Sequence, residues 1–388
     1  MERTKAHTVH ICDCAGSCVL SGERSEIKFQ DATTKTHTQL CVNGIRDTGR
    51  DQKPDGTTIV SCAQEADRIM DLAQDDTVQS VNLRDYVGWT NGTPASHGKL
   101  QALVQQAVLP HPPVKTKEIQ SDGVALVIGS GDVAQQMVDT LSGHLSVTWL
   151  IPDPSDILMP PSGYDVITGT LRAAQGAFGD FAITLDHYQE IIPSGRGALA
   201  WTDPVDGARS VCDLILDLRG KEPLFPAHTK RDGYFHVDTT SITATLRAVT
   251  EASHMVGHFE KTLYIDLNAP LCAHSRAEKS ACSRCLDLCP TGAITSAGEH
   301  VIIDPMICAG CGACAAACPS EAITYSAHPA SFVAQRLVTL AQNYQEHETT
   351  SPRLCVISAP HGTQLVAALA RYGKGLPTDV IPFELDAI

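Results

Sequence analysis

Cysteine is the residue type that carries chemistry in this chain. Residues 308–319 read Cys308-Ala-Gly-Cys311-Gly-Ala-Cys314-Ala-Ala-Ala-Cys318-Pro319, the spacing C-x2-C-x2-C-x3-C-P. Three thiolates on one tight loop can each take a different iron of a cubane cluster, and the fourth cysteine completes a second cluster. We expect Cys318 to stand at the start of a helix that leads away from its own loop. Gly310 and Gly312 permit the loop conformations and leave backbone N–H groups near the sulfurs. Zinc held by four thiolates would call instead for two separated C-x2-C pairs.

An earlier segment repeats the pattern irregularly. Cys282-Ser-Arg-Cys285-Leu-Asp-Leu-Cys289-Pro290 supplies the last three positions, while Lys279 occupies the expected first one. Cys272 is the substitute, with Ala273–Ala281 as a loop insertion. The alternative is a [3Fe–4S] centre, with Cys272 a merely buried thiol. Both segments end alike, in Cys289-Pro-Thr-Gly-Ala-Ile-Thr295 and Cys318-Pro-Ser-Glu-Ala-Ile-Thr324, an internal duplication that implies pseudo-twofold symmetry. Crossover then assigns Cys272, Cys282, Cys285 and Cys318 to one [4Fe–4S] cluster, and Cys289, Cys308, Cys311 and Cys314 to the other. His274, Cys212 and Cys355 read as packing or surface residues.

The whole chain has 15 cysteines in 388 residues, an odd count. The opening sequence lacks the apolar core of a signal peptide, so metal is favoured over a disulfide framework and a cytoplasmic location is expected. Five of the thiols, Cys12, Cys14, Cys18, Cys41 and Cys62, crowd the N-terminal part. Spacing alone leaves open a further metal site, buried free thiols, or a redox dithiol at Cys14 and Cys18.

These thiols need elements to position them. Thr8–Cys12, Thr57–Cys62 and Val78–Leu83 read as short strands, with a helix through Ile69, Met70 and Leu72. Strand–helix alternation predicts a parallel α/β unit with Cys12 and Cys62 at the strand ends. Pro110–Ser121 is Pro-rich and polar, a linker or domain boundary. Val124–Ile128 is an apolar run of the buried parallel type, and it enters Gly129-Ser-Gly131-Asp-Val-Ala134. That is G-x-G-x-x-A between strand and helix, the setting of a dinucleotide pyrophosphate, with Asp153 near the place of a ribose-binding acid. A domain that holds FAD at Gly129, Gly131, Ala134 and Asp153 and a Rossmann-like domain that binds nothing both fit. Val147–Ile151 and Leu214–Leu218 are further strands. A helix from Ser331 should place Phe332, Leu337, Leu340 and Tyr344 on one face. Strand, helix and strand follow through Leu354–Ser358, Leu365, Leu369 and Val380–Phe383. They make a poor core alone, so they join a neighbouring sheet or the natural protein continues.

A net charge of -15, from 29 basic and 44 acidic residues, disfavours a nucleic-acid surface and suits docking on basic partners. No apolar run is long enough for a transmembrane helix. No Ser/His/Asp or paired-carboxylate constellation stands out.

Residues 260–326 resemble the two-cluster bacterial-type ferredoxin domain. Residues 1–100 resemble the N-terminal domain of the flavin-containing component of heterodisulfide reductase, through Cys12 and Cys14, Cys41, Cys62 in Ile-Val-Ser-Cys62, and Asn82-Leu-Arg-Asp-Tyr-Val-Gly-Trp89. That resemblance implies a third [4Fe–4S] cluster on Cys12, Cys14, Cys41 and Cys62, with Cys18 spare. Residues 122–240 resemble the family's flavin domain in reduced form, through Cys212-Asp-Leu-Ile-Leu-Asp-Leu-Arg-Gly-Lys-Glu-Pro223 and Gly233–Asp238. Leu218 stands there in place of the usual small residue. The ensemble is similar to multi-cluster 4Fe–4S proteins encoded beside bacterial formate dehydrogenases. The expected architecture is therefore α/β in four parts. A Cys-rich α/β domain (1–120) precedes a Rossmann-like, degenerate flavin-type domain (121–255). An α+β ferredoxin domain (256–328) and a C-terminal helix with an α/β segment (329–388) follow. The expected role is electron transfer through [4Fe–4S] clusters to or from an oxidoreductase, formate dehydrogenase being the partner the resemblance implies. The rival roles are a maturation factor with structural clusters and an FAD-containing iron–sulfur reductase component.

Overall fold

The computed structural model describes residues 7–17, 29, 32–44, 57–73, 78–88, 96–157, 162–193, 199–276, 279–359 and 361–385. Helices and strands alternate through much of the chain, α/β in the general sense. The chain divides into two compact units, one formed by residues 1–112 with 328–388 and the other by 113–327.

The first unit is built on a four-stranded sheet in the order Ala32–His37, His7–Cys12, Thr58–Val60, Val78–Ser80. All neighbouring strands run parallel. Parallel strands are buried on both faces, which is why Val9, Ile11 and Ile59 are fully enclosed. One face is covered by the helix His97–Ala107, capped at its start by the Ser96 side chain on the Lys99 N–H. The helix Ala330–Gln345 joins the same core through Leu340 and Tyr344, with Val333 and Leu337 half-buried against it, while Phe332 is buried beside the His111 ring. The C-terminal strands Arg353–Ser358 and Val380–Leu385 pair in parallel around the helix His361–Tyr372. They do not stand as a separate domain: Ile357, Val366, Ile381 and Phe383 lie in one apolar cluster with Val9, Ile59 and Leu100. A two-stranded pair has too little surface to bury by itself, and the N-terminal residues supply the remainder.

In the second unit five parallel strands run in the order Asp165–Ala177, Ser146–Ile151, Val124–Ile128, Leu214–Asp217, Tyr234–His236. The helix Asp132–Leu141 buries Ala134, Met137, Val138 and Leu141 against this sheet. Asp165–Ala177 turns back into Asp180–Ile192, a 13-residue hairpin arm that extends the sheet antiparallel. Pro110–Ser121 is not linker throughout, because Thr116–Ser121 forms an antiparallel strand with Gly257–Thr262. Residues 263–327 then form a small duplicated module, with Ile265–Leu267 paired to Ile323–Tyr325 and Ile294–Ser296 paired to Val301–Ile303. Between the hairpins lie two five-residue helices, Arg284–Leu288 and Ala313–Ala317.

Candidate metal centre

The two halves of the duplicated module repeat each other at the level of dihedral angles. Cys289 follows Arg284–Leu288 with φ -73° and ψ 108°, and Cys318 follows Ala313–Ala317 with φ -73° and ψ 111°. These cysteines end helices, where the sequence led us to expect a start. The reason is local: Pro290 and Pro319 bar the α conformation to the residue before them. Each sulfur then meets a hydroxyl two residues on, Cys289 Sγ to Thr291 Oγ1 at 3.6 Å and Cys318 Sγ to Ser320 Oγ at 3.7 Å.

The fold gathers the eight cysteines into two groups. Cys308 and Cys314 each sense the charge of both Cys289 and Cys311, so these four thiols share one neighbourhood. Cys272, Cys282, Cys285 and Cys318 line one small cavity of about 20 Å³. Burial pushes the Cys314 thiol up to about 11, helped by Cys308 and Cys311, and burial raises Cys308 and Cys285 as well. Thiols held this close, and short of water, are poor thiolates until a cation joins them. Cys318 departs from the others. Burial works against its ionised form, but N–H groups of Ile323, Ser320 and Ala322 and the Ser320 hydroxyl hold its thiol below the ordinary value.

The loops show why Cys272 reaches its group. The insertion 273–281 is closed by a short hairpin between Ser275–Arg276 and Lys279–Ser280. His274 pins its base, with Nδ1 at 2.7 Å from the Cys282 carbonyl and Nε2 at 2.7 Å from Ser296 Oγ. In the second repeat Gly310 and Gly312 adopt φ of 75° and 70°, and the Gly310 N–H points at Cys308 Sγ at 3.4 Å. A side chain at 312 would be both strained and in contact with the Tyr325 ring.

In the first unit, Cys12 closes its strand and Cys62 follows Thr58–Val60 by two residues. Cys41 sits in the wide turn Leu40–Gly44. Cys14 and Ala15 take the left-handed conformation, with φ of 54° and 59°, in a turn held by the Gly16 N–H on Asp13 Oδ1. Burial raises the Cys62 thiol, and Cys14, Cys12 and Cys41 all raise it further, so the four lie within electrostatic reach of one another. The backbone N–H groups of Cys14 and Leu40 point at Cys12 Sγ, at 3.3 and 3.4 Å. Cys18 and Trp89 lie outside the described residues.

Arg84 is a residue that the sequence offered only as part of a motif. Its guanidinium donates to Cys14 Sγ at 3.2 Å and to Gln64 Oε1 at 3.1 Å. Asp85, nearly buried, accepts from Arg84 Nε at 3.0 Å and from the Asn82 amide at 3.1 Å, which fixes the guanidinium. A guanidinium beside a cysteine sulfur was not legible from cysteine spacing.

Among the described residues no group of three or more His, Cys, Asp or Glu side chains is arranged to hold a single metal ion. The ferredoxin-like cysteines are no exception, because in a cluster each sulfur would belong to a different iron. In donor chemistry both cysteine-rich regions suit clusters: thiols in fours, with N–H groups turned toward sulfur.

In the glycine loop, packing closes Gly129 and leaves Gly131 open. A side chain at Gly129 would come within 3.0 Å of Leu218 Cβ, and the Gly129 carbonyl accepts from buried Trp149 Nε1 at 2.7 Å. Gly131 caps the helix Asp132–Leu141 with φ 90°, and Ala134 is fully buried beneath it. A crevice lined by Gly129, Ser130, Pro152, Leu218 and Arg219 remains at the strand ends. Asp153 is exposed, and its carboxylate takes the Ser155 N–H and hydroxyl at 2.9 and 2.8 Å, capping its own turn. Cys212 is buried in the sheet with its thiol pushed up to about 12, an inert packing group.

Residues 280–322 match the 4Fe–4S dicluster domain family. No curated protein matches the chain. The match supports [4Fe–4S] clusters in an iron–sulfur, ferredoxin-type protein and electron transfer through them. The resemblances to heterodisulfide reductase and to proteins beside formate dehydrogenase rest on the residues quoted for them alone. Among the described residues no helix is long and apolar enough to cross a membrane.

Proposed function

We propose that this chain is a multi-cluster electron carrier that passes single electrons to or from an oxidoreductase. Two [4Fe–4S] clusters would be held by Cys272, Cys282, Cys285 and Cys318 and by Cys289, Cys308, Cys311 and Cys314. A third would be held by Cys12, Cys14, Cys41 and Cys62. The observation that supports the reading best is the grouping of the duplicated cysteines, in which each Cys-Pro cysteine keeps company with the other repeat's loop. When bound, the clusters supply one-electron redox chemistry, and the protein adjusts it through charge, burial and hydrogen bonds to sulfur. For the third site the support is the convergence of three thiols, Cys12, Cys14 and Cys41, on Cys62 and the Arg84 guanidinium on Cys14. The acidic net charge of -15 suits a partner with a basic docking face. A formate dehydrogenase is the partner toward which the resemblance points, and a pull-down tests it. The glycine loop enters this reading as structure: Gly129 packs on Leu218 with its carbonyl on Trp149, and Gly131 takes the positive φ that opens the helix Asp132–Leu141.

The test uses the full chain, purified anaerobically and analysed for iron and acid-labile sulfide. About twelve of each per chain are expected, falling to about eight in the double variant Cys14→Ser, Cys62→Ser. A wild-type chain with only eight would remove the third cluster. In the same preparation Cys289→Ser should disable the cluster of the Cys308–Cys314 loop and abolish the spin-coupled EPR signal of the reduced pair. If it spares that cluster and damages the one at Cys282 and Cys285, the crossed assignment is wrong.

A further inference from the structure

Among the described residues of the second unit, Arg231 is the buried arginine. It is 6% exposed, at the turn that precedes the strand Tyr234–His236. Its Nη1 donates to the Gly176 carbonyl at 2.9 Å and its Nη2 to the Thr291 carbonyl at 3.1 Å. The guanidinium carbon lies 4.8 Å from the centre of the Phe225 ring. Nε is buried with no hydrogen-bond partner among the described residues. Every partner of this cation is therefore a carbonyl or a ring, and the charges it senses are those of Asp304 and Cys289. The neighbouring acid, Asp232, is engaged by Lys261. A buried charge without a carboxylate in hydrogen-bond contact is costly unless a nearby negative group answers it.

Resting on the reading of the Cys289, Cys308, Cys311 and Cys314 set as a cluster site, the geometry points to that group. Thr291, whose carbonyl Arg231 holds, is two residues from Cys289 and in contact with its sulfur. Four thiolates leave such a cluster negative, and reduction adds one further negative charge, so a fixed cation nearby favours the reduced form. What the two repeats share cannot make their clusters differ. The hydroxyl contacts of Cys289 and Cys318 are alike. Arg231 belongs to the first repeat's side. At the equivalent left-handed positions the first repeat has Gly292 and the second has Glu321, with φ of 67° and 54°. We propose that Arg231 is an outer-sphere tuning residue that raises the reduction potential of the cluster holding Cys289, and of that cluster alone.

The experiment is an EPR-monitored redox titration of the full chain, with Cys311→Ser identifying which signal belongs to the Cys308–Cys314 loop. Arg231→Gln keeps hydrogen-bonding capacity and removes the charge. It should make the Cys311-sensitive cluster about tenfold harder to reduce, ~59 mV for a one-electron couple, and leave the other unmoved. Arg231→Lys, which keeps the charge, should stay near wild type. Asp304→Asn retains the oxygen that accepts the Met306 N–H at 2.8 Å and should shift the same potential upward, a reading that survives if Arg231→Gln does not fold. The proposal is overturned if Gln and Lys act alike, or if neither Arg231→Gln nor Asp304→Asn moves any potential. A shift confined to the Cys311-insensitive cluster would overturn the crossed ligand set and the target named here. A chain without reducible clusters would overturn the underlying reading itself.

Discussion

Lys99 shows what a single buried group asks of the first unit. Its side chain is 2% exposed on the helix His97–Ala107, and its ammonium has the Pro377 carbonyl at 3.3 Å. Burial pulls its pKa from 10.5 down to about 8, against a smaller opposing pull from Asp379. Below about 8 the lysine is charged in both folded and unfolded chains, and the folded state carries the full desolvation penalty. Between about 8 and 10.5 the unfolded chain keeps the proton that the folded chain releases, so stability rises with pH across that window. The differential is about 3 kcal/mol. Urea unfolding of wild type and Lys99→Met at pH 7 and pH 10 checks it: the wild type should gain on the variant by about that amount as pH rises. A constant difference would show that Lys99 keeps its ordinary pKa in the fold. Arg84 and Arg231 are residues of the same kind, buried or half-buried charges whose surroundings, and not their place in the chain, determine what they do.

At the scale of elements, the helix Ala330–Gln345 behaves as its apolar spacing foretold, starting one residue before Ser331 and burying Phe332, Leu340 and Tyr344. Leu340 is fully enclosed, and truncating such a side chain leaves a cavity that its neighbours fill only in part. Leu340→Ala should destabilise the first unit by about 2–5 kcal/mol. The unfolding transition of residues 113–327 should be unaffected, which calorimetry on the full chain would resolve. The hairpin arm Asp165–Ile192 had no such herald. Its pairing shifts register between Thr168 and Thr170 and again between Leu171 and Ala173, so no strict alternation of apolar and polar residues survives. Gly176 sits at its turn because a side chain there would fall 2.1 Å from the Asp180 carbonyl. The glycine loop is the converse case: a clear motif whose glycines are explained by Leu218 and by a helix start.

At the scale of the molecule, the division at Pro112–Pro113 and Ala327–His328 makes the second unit continuous in sequence and the first discontinuous. A chain of residues 113–327 should fold cooperatively and take up about eight irons on anaerobic reconstitution. A chain of residues 1–112 lacks the C-terminal residues that share its core, Leu340, Tyr344, Ile357 and Phe383 among them, and should show no cooperative transition. Circular dichroism melts of the two fragments check this, and a cooperative melt of 1–112 would contradict the shared core.

What the sequence by itself determined is the 4Fe–4S dicluster pattern of residues 280–322. A cluster loop is a local object: its cysteines lie three or four positions apart, the glycines of the second loop are needed for the backbone, and the Cys-Pro endings recur in both repeats. The same locality made single strands and helices legible, such as Val124–Ile128 and Ala330–Gln345. Only the tertiary structure decided which distant segments meet. The hydrogen bond between Tyr86 and Glu384 spans 298 positions, and nothing in the local pattern of either residue announces it. The same holds for Arg231 against the Thr291 carbonyl, 60 positions away, and for Arg84 against Cys14, 70 positions away. Spacing tells which thiols can share an iron–sulfur cage. The charges that surround the cage come from wherever the folded chain returns, and that depends on packing over the whole unit.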